Sequence, residues 1–271
     1  MVQSDQKIQR IRRGGLLLNQ FEIFDSHFHI IDHQFPLVPN NGYLPNEFTH
    51  NNYLDRMKPY GLCGGAIVSG SFQVFDQSYL VNALNQLGPS FVGVTQLPVT
   101  VSDDEIIQLD HAGVRALRFN LKRGGSENLH HLSSMAQRIH ELVGWHVELY
   151  VDSTELPDLY NTLIALPSVS IDHLGLSQSG LSVLVKLVEK GVRVKATGFG
   201  RVDFDVKRAL QDLYSANPTS LMFGTDLPST RAPIPYSDND FLLVIDALGE
   251  DGASDVLSRN AIDFYKPQQK S

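Results

Sequence analysis

A single cysteine, Cys63, among 271 residues leaves no disulfide to be made within the chain. It stands at the head of an apolar stretch, and the simplest reading is a buried, unreactive packing residue. Long hydrophobic runs are absent too. Leu16-Leu17-Leu18 is far too short for a secretory core or a membrane span, so a cytoplasmic protein with no membrane partner is expected. Positive charge is scarce, with 22 Lys and Arg against 30 Asp and Glu and a net charge of −8. That balance excludes nucleic acid as a partner, because phosphate backbones need a basic surface. An anionic substrate would have to be attracted by a local cluster of cations. Gly64-Gly65 and Gly124-Gly125 lack the spacing and the following lysine of a phosphate loop. No Pro- or Ser-rich linker or low-complexity tract divides the chain.

What is present is a repeat of form. Short apolar or β-branched runs recur at about 22–30, 63–70, 91–98, 114–121, 146–152, 169–175, 192–199 and 221–228, with helical spacing of apolar residues between them. Leu181, Leu184, Val185 and Val188 before Gly191 are one example. Strands alternating with helices imply parallel βαβ units. Eight of them, in a length close to the ~250 residues usual for the fold, point to a (β/α)8 TIM barrel over 22–271, with a doubly wound open sheet as the other solution. Residues 1–21, with Lys7, Arg10, Arg12 and Arg13, read as a flexible arm, and Asp251–Tyr265 as the closing helix.

Chemistry in such a barrel collects at the C-terminal strand ends. The first strand ends Asp25-Ser26-His27-Phe28-His29, where alternation puts Asp25, His27 and His29 on one face. The sixth ends at His173 and the eighth at Asp226. Titratable groups converging from three strand tips are costly to bury without purpose. In the fourth strand Arg118 and Asn120 share the face that points toward the histidines. Arg123 and Arg201 fall at the rim, where guanidinium groups suit carboxylates. Ser69 and Ser71 end the second strand and can donate to a substrate. His33, His50, His111, His130, His131, His140 and His146 have no comparable support. Of these, His146 reads as structural at the start of its strand, His130 and His131 lie on the surface, and Trp145 is a core anchor.

Gly113-Val114-Arg115-Ala116-Leu117-Arg118-Phe119-Asn120, Gly144-Trp145-His146-Val147-Glu148-Leu149-Tyr150, Ile171-Asp172-His173-Leu174-Gly175, Lys195-Ala196-Thr197 and Gly224-Thr225-Asp226-Leu227-Pro228 recur in one order. From Phe24 to Tyr265 the chain resembles the 2-pyrone-4,6-dicarboxylate lactonase group of the amidohydrolase superfamily. The resemblance implies hydrolysis of a lactone or related ester of a small carboxylated substrate. It implies Asp226 as general base on water, with His27, His29 and His173 around the substrate carbonyl. Arg118, Arg123, Tyr150 and Arg201 match side chains that grip carboxylates or the oxyanion. Leu176 stands where the lactonase carries an arginine, which removes one carboxylate contact.

Two other readings stay open: a mononuclear metal-dependent hydrolase or decarboxylase of the same superfamily, and a barrel that binds a ligand without turnover. Superfamily members with two metals bridge them with a carboxylated lysine on strand four, where Arg118 and Asn120 stand here. Members with one metal add a histidine at the tip of strand five, which carries Tyr150 and Asp152. No cofactor is therefore expected to be required. A single zinc or manganese, if held, would take His27, His29 and Asp226. Assembly into a homo-oligomer is left open.

Overall fold

Runs such as Phe91-Val92-Gly93-Val94-Thr95 are apolar on both faces, as strands must be when helices cover one side and a filled barrel the other. The computed structural model describes residues 18–268; the arm containing Lys7, Arg10, Arg12 and Arg13 lies outside them. Eight parallel strands follow one another in sheet order: β1 (Glu22–Phe28), β2 (Gly61–Val68), β3 (Phe91–Thr95), β4 (Val114–Asn120), β5 (His146–Tyr150), β6 (Val169–Ile171), β7 (Arg193–Ala196) and β8 (Leu221–Phe223). Between them run α1 (His50–Met57), α2 (Ser78–Leu87), α3 (Asp103–His111), α4 (Leu132–Val143), α5 (Leu156–Ala165), α6 (Leu181–Glu189) and α7 (Val206–Ala216). This is a (β/α)8 TIM barrel. None of its described helices is long and apolar enough to cross a membrane.

The C-terminal segment departs from expectation. Its helix, α8, begins at Asp238 rather than Asp251 and runs to Ser254, bending at Gly249 (φ 72°). A π-turn at Asp255–Arg259 leads into α9 (Asn260–Tyr265). Gly249 and Gly252 interrupt the apolar spacing, which hid the first half from pattern reading. Cys63 is half-buried, its thiol 3.2 Å from the Ile23 carbonyl. Burial, aided by the Glu22 charge, pushes that thiol up to about 11, so it stays protonated and unreactive.

The seam between β8 and β1 positions the site. Its backbone bonds come at the strand tips, where the Asp226 N–H donates to the His27 carbonyl and the His29 N–H to the Leu227 carbonyl, each at 2.7 Å. A Cβ at Gly224 would stand 2.7 Å from the His27 nitrogen, so only glycine permits this approach. Below it Asp25 acts as a clip. Its carboxylate accepts from the Thr225 N–H (2.8 Å), the Thr225 hydroxyl (2.6 Å) and the Tyr53 hydroxyl (3.1 Å). Asp25 therefore does not share the face of His27 and His29. A register shift in β1 between Asp25 and Phe28 breaks the alternation and turns Asp25 toward α1, where Tyr53 stacks on Phe28. Burial, against the pull of these donors, raises the Asp25 carboxyl to about 6.

Asp25→Asn would oppose an amide N–H to donors that now meet a carboxylate oxygen. An orphaned buried donor costs about 1–3 kcal/mol, so a drop of several degrees in the thermal midpoint is expected. An unchanged midpoint would show that the seam holds without the clip.

Candidate active site

The side chains from β1, β4, β5, β6, β7 and β8 meet above the barrel core. His27 and His29 stand with ring centroids 5.1 Å apart, and His173 lies 4.8 Å from His27. Asp226 faces both first-strand imidazoles: its Oδ1 is 3.9 Å from Nε2 of His27 and 3.8 Å from Nε2 of His29. Neither that oxygen nor Nε2 of His27 has a hydrogen-bond partner. The other nitrogen of His29 lies 2.7 Å from the Val68 carbonyl, which can only accept, so Nδ1 carries the proton and Nε2 the lone pair. All three imidazoles are buried, which lowers their tendency to protonate; for His29 and His173 the charges of neighbouring groups push further the same way. They are neutral at pH 7.

Two backbone devices shape this centre. Gly198 (φ 62°) leaves room for the His173 ring, since a Cβ there would stand 2.5 Å from Nδ1. The tips of β6 and β8 are wound into left-handed turns at His173, Leu174 and Leu176 and at Asp226, Ser229 and Arg231. Such conformations are uncommon for residues with side chains and gather where function demands them.

Beneath the histidines lies a chain of buried charges. Arg118 donates to Asp172 at 2.7 Å and to the Ser69 carbonyl at 2.5 Å. Lys195 donates to Glu148 at 2.5 Å and lies 3.8 Å from Asp172. Glu148 also meets His146 at 3.1 Å and the Tyr265 hydroxyl. Burial alone would raise both carboxyls. The Lys195 ammonium holds Glu148 down at about 2, and Arg118, with Lys195, holds Asp172 well below the carboxylate range.

Above the centre opens a pocket with about 380 Å³ of empty space, open solvent included. His29, Ser71, Arg118, Arg123, Tyr150, His173 and Arg201 all line it; Asp226 and His27 do not, but lie buried against the lining residues His29 and His173. Ser69 does not, because its hydroxyl is engaged with Tyr79 at 2.6 Å. Arg201 has its Nε and a terminal nitrogen each 2.7 Å from Oδ2 of Asp226. Arg118 and Arg201 are thus neutralised by Asp172 and Asp226. Arg123 and Arg231, also pocket residues, have no carboxylate partner among the described residues.

Comparison with known proteins fits this geometry. The family model described as Amidohydrolase matches residues 24–266. The chain belongs to the amidohydrolase family. This amidohydrolase is 31% identical over 156 residues to a 2-pyrone-4,6-dicarboxylate hydrolase of Comamonas testosteroni, an alignment covering 56% of the chain and about half (51%) of that relative. A putative 2-pyrone-4,6-dicarboxylic acid hydrolase of Pseudomonas putida superposes with a TM-score of 0.77 at 25% identity, covering 92% of this chain and 98% of that one. A protein of Agrobacterium tumefaciens superposes at 0.81 with 20% identity, covering 92% and 97%.

Amidohydrolases often use a metal, and the residues here fit one by spacing. Donor atoms of His27, His29 and Asp226 lie within 4.8 Å of one another, as do those of His27, Asp172 and His173. Reading the amidohydrolase sequence by motif left Glu148, Asp172, Lys195 and Arg231 without roles and set Asp25 on the face of the histidines. The signal for one of them was there: Glu148 precedes Tyr150 by two positions, so both share one strand face.

Arg118 and Arg123 separate structure from recognition. Arg118→Met should cost about 3–5 kcal/mol in urea unfolding, because it abandons Asp172 in the core. Arg123→Met, on the exposed rim, should stay within about 0.5 kcal/mol of the parent. Equal, small losses would mean that the buried pair carries no structural weight.

Proposed function

We propose that this amidohydrolase opens a lactone, or a related ester, of a small carboxylated acid, with Asp226 activating water. The observation that carries the reading is the unpartnered Oδ1 of Asp226 facing the His29 lone pair at 3.8 Å. Water seated against both meets two acceptors, which leaves its own lone pair turned to the pocket. As that oxygen bonds to the lactone carbonyl carbon, its proton passes to Asp226, and the carbonyl π pair moves onto oxygen. Donors on Arg118, His27 and His173, all three buried, face the charge that develops there. Collapse of the tetrahedral intermediate expels the ring oxygen as alkoxide or enolate, and Asp226 returns the proton to it. Arg201, fixed on Oδ2, keeps the carboxylate oriented throughout.

A carboxylate on the substrate answers the two unpaired cations, Arg123 and Arg231, with Tyr150 and Ser71 on the pocket wall. Leu176 adds no cation at the β6 tip, where it is buried. One carboxylate rather than two is therefore the better match, and the reaction fits a cytoplasmic enzyme of small-molecule metabolism.

The second reading has its own support in the orphaned Nε2 of His27 and Oδ1 of Asp226. A single zinc or manganese would be held by His27, His29 and Asp226 and would supply Lewis-acid polarisation of the carbonyl. Against it, Arg201 already binds Asp226 and, with Arg118, opposes a further cation.

Asp226→Asn keeps the shape and removes the proton acceptor, so lactone turnover should fall by roughly 10²–10⁴-fold. Near-parental turnover would remove Asp226 from this role; binding without turnover in the parent would favour a non-catalytic barrel. Turnover by the parent should survive exhaustive chelation verified by elemental analysis. Activity lost on chelation and restored by stoichiometric zinc or manganese would establish the metal reading instead.

A further inference from the structure

Lys195 is fully buried, lies outside the pocket and has no part in the steps above. Its ammonium sits 3.5 Å from Nδ1 of His27. Nδ1 has a second neighbour, Oδ1 of Asp172, also at 3.5 Å. The two neighbours ask opposite things of the ring. A proton on Nδ1 would serve Asp172 and leave a lone pair on Nε2. A lone pair on Nδ1 would accept from Lys195 and put the proton on Nε2. Only one tautomer can hold.

The geometry favours lysine. Asp172 Oδ1 has no hydrogen-bond partner, so an Nδ1 proton in the ring plane is not aimed at it, despite the distance. Asp172 is already engaged through Oδ2 by Arg118. Lys195 is anchored by Glu148 at 2.5 Å, and Glu148 is itself pinned by His146 and Tyr265. The ammonium has N–H groups to spare and stands too far, at 3.8 Å, from Asp172 for a good bond. Nδ1 of His27 is the acceptor left for it.

We infer that Lys195 is a positioning residue that donates to Nδ1 of His27 and so fixes the His27 proton on Nε2, opposite to the arrangement in His29. This deepens the hydrolytic reading above, on which its catalytic meaning rests. The two first-strand histidines then divide the work. His29, protonated at Nδ1 by its bond to Val68, offers Nε2 as an acceptor to water. His27 offers an Nε2–H as donor to the carbonyl oxygen. The same arrangement weakens the site for metal, because one of the two imidazoles presents a proton where a ligand lone pair is needed.

The test is ¹⁵N NMR of the histidine rings in the chelated protein, without substrate, with the His27 signals identified by their loss in His27→Gln. The expected spectrum places the proton on Nε2 in His27 and on Nδ1 in His29. Lys195→Met should move the His27 proton to Nδ1 and tighten Zn²⁺ binding by roughly tenfold or more, read by competition with a chromophoric chelator. A His27 proton on Nδ1 in the unaltered protein overturns the inference. So does a folded Lys195→Met protein with an unchanged tautomer. If that variant does not fold, the unaltered spectrum still decides. Because no substrate is present, a protein that hydrolyses no lactone yet shows opposed tautomers keeps this assignment and loses only the hydrolytic reading.

Discussion

The alternation Arg118–Asp172–Lys195–Glu148, buried in the barrel centre, is the constraint on which the site depends. Each charge has lost its water, and taking a single ion into such an interior costs several kcal/mol after relaxation. No member can therefore be moved or neutralised alone. The four residues come from β4, from just past the end of β6, and from β7 and β5, so their pairing fixes how those strands turn their side chains inward and how deep they sit. Hydrophobic residues of equal volume would fill the space as stably. What they could not do is orient the histidines: Lys195 and Asp172 bracket His27 from below, and Arg118 reaches up into the pocket.

That buried balance also determines which cations are left for a ligand. Four arginines line the pocket, and two of them are committed to Asp172 and Asp226. Arg231 is tied to Asn40 by a 2.8 Å bond and stacks 4.3 Å over the Tyr43 ring. Asn40 donates in turn to the Arg123 carbonyl, joining the loops after β1, β4 and β8. The two uncompensated guanidiniums thus share one scaffold at the rim. On the proposed reading, a chain of net charge −8 would draw an anion by this local surplus and not by its overall field.

The fold was legible because its signal is periodic: eight apolar runs survive any uncertainty at their edges. The tips were legible for the same reason, since His27, His29, His173 and Asp226 each interrupt an apolar run. What was not legible depends on contacts across the barrel. Asp25 looked like a partner of His27 because alternation ignores the register shift in β1. Arg118 and Arg201 looked free because their carboxylates lie 54 and 25 residues away in the chain. Arg231 stands in a loop with no periodicity, and its place at the pocket follows from the left-handed turns after β8.

Those turns complete the logic of the site. A strand continuing straight past Phe223 would carry Asp226 away from the first-strand histidines. Instead Gly224 lets β8 press against His27, and the chain bends at Asp226 (φ 59°) so that its carboxylate folds back over both imidazoles. A left-handed residue with a side chain costs about 1–3 kcal/mol and persists only where its surroundings over-determine it. Here they do: the Asp226 N–H is bonded to the His27 carbonyl, and its Oδ2 to Arg201. One oxygen is held rigidly so that the other can stay unbound and aimed at the pocket. On the hydrolytic reading proposed above, a base prepared in this way would need no reorganisation when water arrives, and that economy would be the benefit for which the strain is retained.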